Sequence, residues 1–232
     1  MAYFHSPRIV TDGLVLCLDA ANTKSYPGSG TTWSDLSGNG NNGTLVNGPT
    51  FDSNNGGSIQ FDGVNDTVNI TGPASRYFPI MDFTIQCVVK TNQTTRNGFF
   101  SMSFGIILRH SGAAGTLQFR LDNGSSIPTF SPPFPSPNIN DNNWHVCNIV
   151  VKGGDSATID FFIDGTYYGQ RSTLWSGVTR WPTNSVGLGR DNNNSSASRY
   201  DGNISQVQIY NRALSAQEIL QNYNATKGRY GL

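Results

Sequence analysis

Apolar and polar residues alternate with a period of two through Thr158–Ile163 and Ser205–Tyr210. That is the pattern of strands buried on one face. Similar short runs rich in Val, Ile, Phe and Tyr occur along the whole chain: Leu14–Asp19, Ser58–Phe61, Thr67–Ile70, Phe83–Lys90, Gly98–Leu108, Thr116–Leu121, His145–Val151, Tyr167–Gln170, Ser185–Gly189 and Gly202–Tyr210. Most are bounded by Gly, Asn or Asp, which punctuate strands. With no helical pattern between them, they predict an all-β fold, a two-sheet antiparallel sandwich. Asp164-Gly165 between Ile163 and Thr166 predicts a tight hairpin, because these residues accept positive φ angles. A single helix is predicted near the C-terminal end. Ser215-Ala216-Gln217-Glu218 reads as a capping box, and Leu214, Ile219, Leu220 and Tyr223 give an apolar face through Asn222.

Three stretches read as long loops: Asn22–Pro49, Asn123–Asn143 and Asp191–Tyr200. The second carries five prolines in IPTFSPPFPSPN and is incompatible with a central strand. Loops of this length inside a compact domain are usually functional or interface-forming. Strands continue on both sides of each loop, so one domain over residues 12–232 is expected, preceded by an arm over residues 1–11.

Composition narrows the function. Charged residues make up 13% of the chain, against roughly 25% in ordinary domains. Lys plus Arg, at 15, balance Asp plus Glu, at 15. This neutrality argues against a nucleic-acid or anionic-membrane binder, both of which need basic clusters. Of the acids, Glu218 is the sole glutamate. The opening residues carry no charged segment followed by an apolar stretch, so no signal peptide is expected. Cys17, Cys87 and Cys147 sit in apolar strand-like runs and are expected to be buried free thiols, which suits a reducing cytoplasm.

The ordered motifs resemble a known family. YDGNISQVQIYNRALSAQEILQNYNA is similar to the closing segment of the laminin-G-like, concanavalin A-like lectin/glucanase superfamily. SIQFDGVNDTVNI resembles its early strand pair, and DFTIQCVVKT, NNWHVCNIVV, ATIDFFIDGTYYG and SVGLGR resemble later strands in order. The resemblance implies a jelly roll of two curved antiparallel sheets, in which Leu14–Asp19 lies beside Gly202–Tyr210. The segment TDGLVLCLDAANTKSYPGSGTTWSDLSGNGNNGTLVNGPTF resembles one found in structural proteins of tailed phages, notably marine ones. It implies a virion context.

Candidate chemistry is sparse. The glucanase branch uses paired acids about 5–5.5 Å apart in retaining enzymes. One glutamate assigned to a helix cap excludes a glutamate pair, so no enzyme is expected. His5, His110 and His145 lack any catalytic motif, with His110 read in a loop after Arg109. The cysteines lack zinc spacing. Relatives often hold calcium, for which Asp62, Asn65, Asp66 and Asn192–Asn194 offer oxygens. Ser205 and Gln206 replace the family's acidic pair, however, and no cofactor or metal is expected.

Sugar binding needs aromatic faces and amide or carboxylate side chains. The candidate glycan site is Trp175, Trp181, Asn192, Asn193 and Tyr200, while Trp33 and Trp144 read as core or loop anchors. Phe130 and Phe134 on the stiff Pro-rich loop, with Tyr3 and Phe4 on the arm, are candidate protein-interface residues. These readings predict a non-enzymatic virion protein that decorates or cements a phage capsid, assembled in the host cytoplasm. Its expected partners are capsid or other virion proteins or further copies of itself, with no nucleic acid or membrane. The alternative is a carbohydrate-binding adhesin module of a phage fibre or cell-surface protein.

Overall fold

The computed structural model of the chain describes residues 7–72, 82–102, 105–121, 128–153, 156–174, 186–191 and 199–232. Sixteen strands occur among them. They begin with β1 (Leu14–Asp19), β2 (Thr32–Trp33), β3 (Gly43–Val46), β4 (Thr50–Asp52), β5 (Ser58–Asp62) and β6 (Thr67–Ile70). Next come β7 (Phe83–Lys90), β8 (Gly98–Met102), β9 (Ile106–His110), β10 (Leu117–Leu121) and β11 (Thr129–Phe130). The last are β12 (Trp144–Lys152), β13 (Ser156–Ile163), β14 (Thr166–Leu174), β15 (Val186–Leu188) and β16 (Asp201–Tyr210), followed by helix α1 (Ala216–Thr226).

They form two antiparallel sheets. The first runs β14-β13-β12-β7-β16-β5-β4, with β1 also on β16. The second runs β11-β10-β9-β8-β15-β6-β3-β2. As the resemblance implies, the first strand lies beside the last, with Cys17 opposite Gln208 and Asp19 opposite Gln206.

The inward faces of both sheets form one core. Ile85, Cys87 and Val89 from β7 meet Phe100 and Met102 from β8, and Val207 and Ile209 join Leu16, Leu18 and Phe61. Every residue of β7 except Lys90 is buried, because the outer face of the first sheet is covered as well. There Leu214 and Ile219 pack on Val150, Phe162 and Tyr210. The inner end of the arm is fixed to the helix: Val10 N–H donates to Asn222 Oδ1 at 2.8 Å, and Gln221 Nε2 donates to Arg8 O at 2.8 Å. Ser215 and Glu218 form the expected capping box. Arg212 donates to both Glu218 oxygens, at 3.0 and 2.6 Å, which lowers the Glu218 carboxyl to about 2.

The structure differs from the pattern in four places. Gly98–Leu108, read as one strand, is the hairpin β8–β9, with Phe100 paired to Leu108. The run is mostly apolar, and Gly105, just before β9, is its one internal turn-forming residue. The stretch Asn22–Pro49 contains β2 and β3. The Pro-rich stretch contributes β11, two residues at a sheet edge, where prolines leave no central ladder broken. His110 is the buried last residue of β9 rather than a loop residue.

Candidate functional site

The outer face of the second sheet is built by simple alternation. In β10, Leu117 and Phe119 point into the core, so Gln118 and Arg120 point out. In β9, Ile106 and Leu108 point in, leaving Ile107 and Arg109 outside. Registry aligns Arg109 with Gln118, and Arg120 with Ile107 and Thr129. The polar side chains of three strands therefore form one patch.

Arg109 is the centre of that patch and is only 3% exposed. Its Nε donates to Gln118 Oε1 at 3.1 Å, one amino group reaches Asp191 Oδ2 at 3.4 Å, and the other reaches Thr129 Oγ1 at 3.5 Å. Arg120 lies 3.8 Å from the same Asp191 oxygen, and its buried Nε has no partner. Burial lowers the Arg109 pKa first, Asp191 opposes that, and the charges of Arg96 and Arg120 add to the lowering. Arg190 is also lowered, by burial and then by Arg199. Its guanidinium lies flat on β15: a Cβ on Gly187 would stand 2.8 Å from Arg190 Nε.

The Pro-rich loop adds a wall. Phe130 is half-buried against the core, whereas Phe134 is 63% exposed. Pro133 and Phe134 press on Gly169 of β14, where any side chain would collide with them. Between this loop and β10 lies a cleft of about 500 Å³ lined by Ser111, Thr116, Gln118, Ser131, Phe134 and Ser136 among others. Gln118 joins cleft and patch, since its Nε2 donates to Ser131 Oγ at 3.4 Å while its Oε1 accepts from Arg109.

The predicted site residues fall out unevenly. Trp175, Trp181, Asn192 and Asn193 lie outside the described residues, as do Tyr3, Phe4 and His5. Tyr200 is corrected: it is fully buried, edge-on to Phe61 and Phe99 at 6.0 and 6.1 Å, with its hydroxyl donating to Lys90 O at 3.1 Å. A ring enclosed in the core has no face for a sugar. Trp33 and Trp144 are both buried. The three cysteines are free and buried, with the Cys17 thiol pushed up to about 12, first by burial. Sequence reasoning missed Arg109, Gln118, Arg120 and Asp191. The period-two pattern of LQFRL and IILRH was the available signal.

Other titratable groups have structural partners. His145 Nδ1 lies 2.8 Å from Asp164 Oδ2 and Nε2 lies 3.2 Å from Asp141 Oδ1. Burial would lower its pKa, but the two carboxylates raise it overall. His110 accepts from Gly112 N–H in the other sheet, so the two histidines share no site. The positions of the family's acidic pair do not fit calcium. Ser205 Oγ donates to Gly57 O at 2.6 Å and Gln206 Nε2 reaches Asp19 Oδ2 at 3.4 Å. In the β5–β6 turn, Asp62 Oδ1 accepts from Val64 and Asn65 N–H, and Asp66 Oδ2 accepts from Asp62 N–H. Among the described residues no group of three or more His, Cys, Asp or Glu gathers as metal ligands do.

The two-sheet antiparallel sandwich, with its first strand beside its last, is a concanavalin A-like fold. The chain belongs to the concanavalin A-like lectin/glucanases superfamily, whose family model matches residues 62–220. No curated protein sequence matches it. Among solved structures, the binding domain of Paraclostridial Mosquitocidal Protein 1 is similar with TM-score 0.71 and 18% identity, covering 93% of this chain and 52% of that one. The binding domain of botulinum neurotoxin DC, in complex with rat synaptotagmin II, is similar with TM-score 0.69 and 12% identity, covering 94% and 52%. A botulinum neurotoxin type C structure, described as dependent on two ganglioside molecules for cell entry, has TM-score 0.70 and 13% identity, covering 94% and 52%. The chain thus spans about half the length of these structures, and the likeness establishes the fold.

Proposed function

We propose that the chain is a non-catalytic carbohydrate-binding module whose ligand occupies the cleft between Phe134 and β10. The carrying observation is an aromatic ring left 63% exposed beside the Gln118 amide of β10 and hydroxyls that flank the ends of β9, β10 and β11. Sugar rings present C–H faces to an aromatic ring and hydroxyls to such groups, and a largely preformed cleft reduces the ordering cost of binding. The similar toxin structures are binding domains, one of them tied by its description to gangliosides. Glu218, engaged by Ser215 and Arg212, supplies no acid to the cleft. Trp175, Trp181, Asn192 and Asn193 are proposed as additional sugar contacts on their residue chemistry.

Phe134→Ala is expected to weaken glycan binding by roughly three- to tenfold, the value of about 0.5–1.5 kcal/mol for a ring contact. Stability should shift by less than about 0.5 kcal/mol, because the ring is largely in water. A glycan array followed by titration calorimetry reads both proteins. Silence across the array, or equal affinity of the variant, rejects the cleft.

A second reading rests on residues 11–51, whose resemblance to tailed-phage proteins would make the chain a virion component on a capsid. Phe134 would then contact a capsid protein. Cryo-EM of particles with and without the protein decides it: unchanged capsid density rejects the decoration role.

A further inference from the structure

We infer that the ligand is acidic, and that a carboxylate or sulfate on the saccharide docks at Arg120 while its sugar ring lies in the cleft. The inference rests on the sugar-binding reading above and adds a charge to it. Arg109 and Arg120 share one Asp191 oxygen, at 3.4 and 3.8 Å. Among the described residues, two cations against this one carboxylate leave one positive charge over. Burial forbids its being dissipated by water at Arg109, which is 3% exposed, and Arg96 and Arg120 add to the positive field there.

The two guanidiniums are not equivalent. Arg109 uses its Nε and both amino groups on Gln118, Asp191 and Thr129. Among the described residues Arg120 holds only the longer Asp191 contact; its side chain is 15% exposed, and its Nε is buried and unpartnered. Its buried Nε is out of a ligand's reach, so the amino groups of Arg120, held only by the long Asp191 contact among the described residues, are the donors left for a ligand. A planar guanidinium matches a carboxylate or sulfate edge, which makes two parallel charge-assisted hydrogen bonds. Geometry also ties this point to the cleft. Gln118 and Arg120 are on the same face of β10, two residues apart, a separation of about 7 Å that one sugar unit spans. Asp191 is the internal competitor for the same cation.

The test compares saccharides that differ only in charge: oligogalacturonate against its methyl ester, and sulfated dextran oligosaccharide against dextran. Titration calorimetry of the wild-type protein should give roughly tenfold or tighter binding of the charged member of at least one pair, weakening as salt rises. Arg120→Gln should erase that difference by bringing the charged member's affinity down to that of the neutral one; Arg120→Lys, which keeps the charge but loses the fork, should retain part of it. Equal binding within both pairs overturns the acidic preference and leaves the cleft standing. Binding of no saccharide, here or on the array, overturns the sugar-binding reading and the preference with it. The wild-type comparison needs no variant, so it decides the acidic preference even if Arg120→Gln fails to fold, and Arg120→Lys then decides the docking point.

Discussion

Replacing Trp33 by alanine is expected to destabilise the domain by about 3–5 kcal/mol, the usual cost of removing a buried aromatic side chain from a core. Trp33 is fully buried in the core, although β2 is only two residues long. It stands beside Gly43 of β3, whose missing side chain leaves room: a Cβ there would approach Val68 Cγ1, Trp33 Cβ and Leu18 Cδ1. Its neighbours are therefore strands of both sheets, which cannot close together without shifting their registers. The indole Nε1 is buried and has no partner. Trp33→Phe should therefore cost much less than Trp33→Ala, because the smaller ring removes an unmatched N–H along with the volume. Urea unfolding of the three proteins measures both steps. A loss below about 1 kcal/mol in Trp33→Ala would show that β2 collapses onto the gap and is not part of the structural frame.

Trp33 also marks what the sequence could reveal. Long apolar strands such as β7, β12 and β16 were legible because their periodicity and turn residues agree, and so was the Ser215–Glu218 cap. Short strands such as β2 and β3 were not. Their order comes from tertiary hydrogen bonds that a linear pattern does not carry. Asp35 receives Cys17, Ser37 and Asn41 backbone N–H groups at 2.9, 2.9 and 3.0 Å, and Asn42 Oδ1 receives Asp35 N–H at 2.9 Å. One carboxylate thereby folds a Gly- and Asn-rich stretch against β1. Tyr200 failed for the opposite reason. Its polar neighbours in DNNNSSASRY suggested a surface, but its ring crosses into the core between Phe61 and Phe99. Phe134 was singled out by sequence as an exposed contact. The arginines of the neighbouring patch were not, because strand pairing is what sets Arg109 beside Gln118 and Arg120.

Asp191→Ala should cost about 3–5 kcal/mol, the effect of removing one partner of a buried ion pair. The side chains of Arg109 and Asp191 are 4% and 8% exposed, so the loss is not screened by water as a surface pair would be. The variant leaves Arg109 charged, since a guanidinium does not give up its proton in this pH range. Gln118 and Thr129 can accept from it but carry no charge. Adding Arg109→Met to Asp191→Ala removes the stranded cation and fills the space with apolar volume. Most of the loss should return, giving a coupling of several kcal/mol in a double-mutant cycle read by urea unfolding. Additive losses would mean that the two side chains do not stabilise one another. The same variant exposes the link between stability and binding. With Asp191 gone, a carboxylate brought by an acidic saccharide supplies the missing charge beside Arg109 and Arg120. Oligogalacturonate should therefore raise the Tm of Asp191→Ala by more than it raises that of the wild type, whereas its methyl ester should shift both alike.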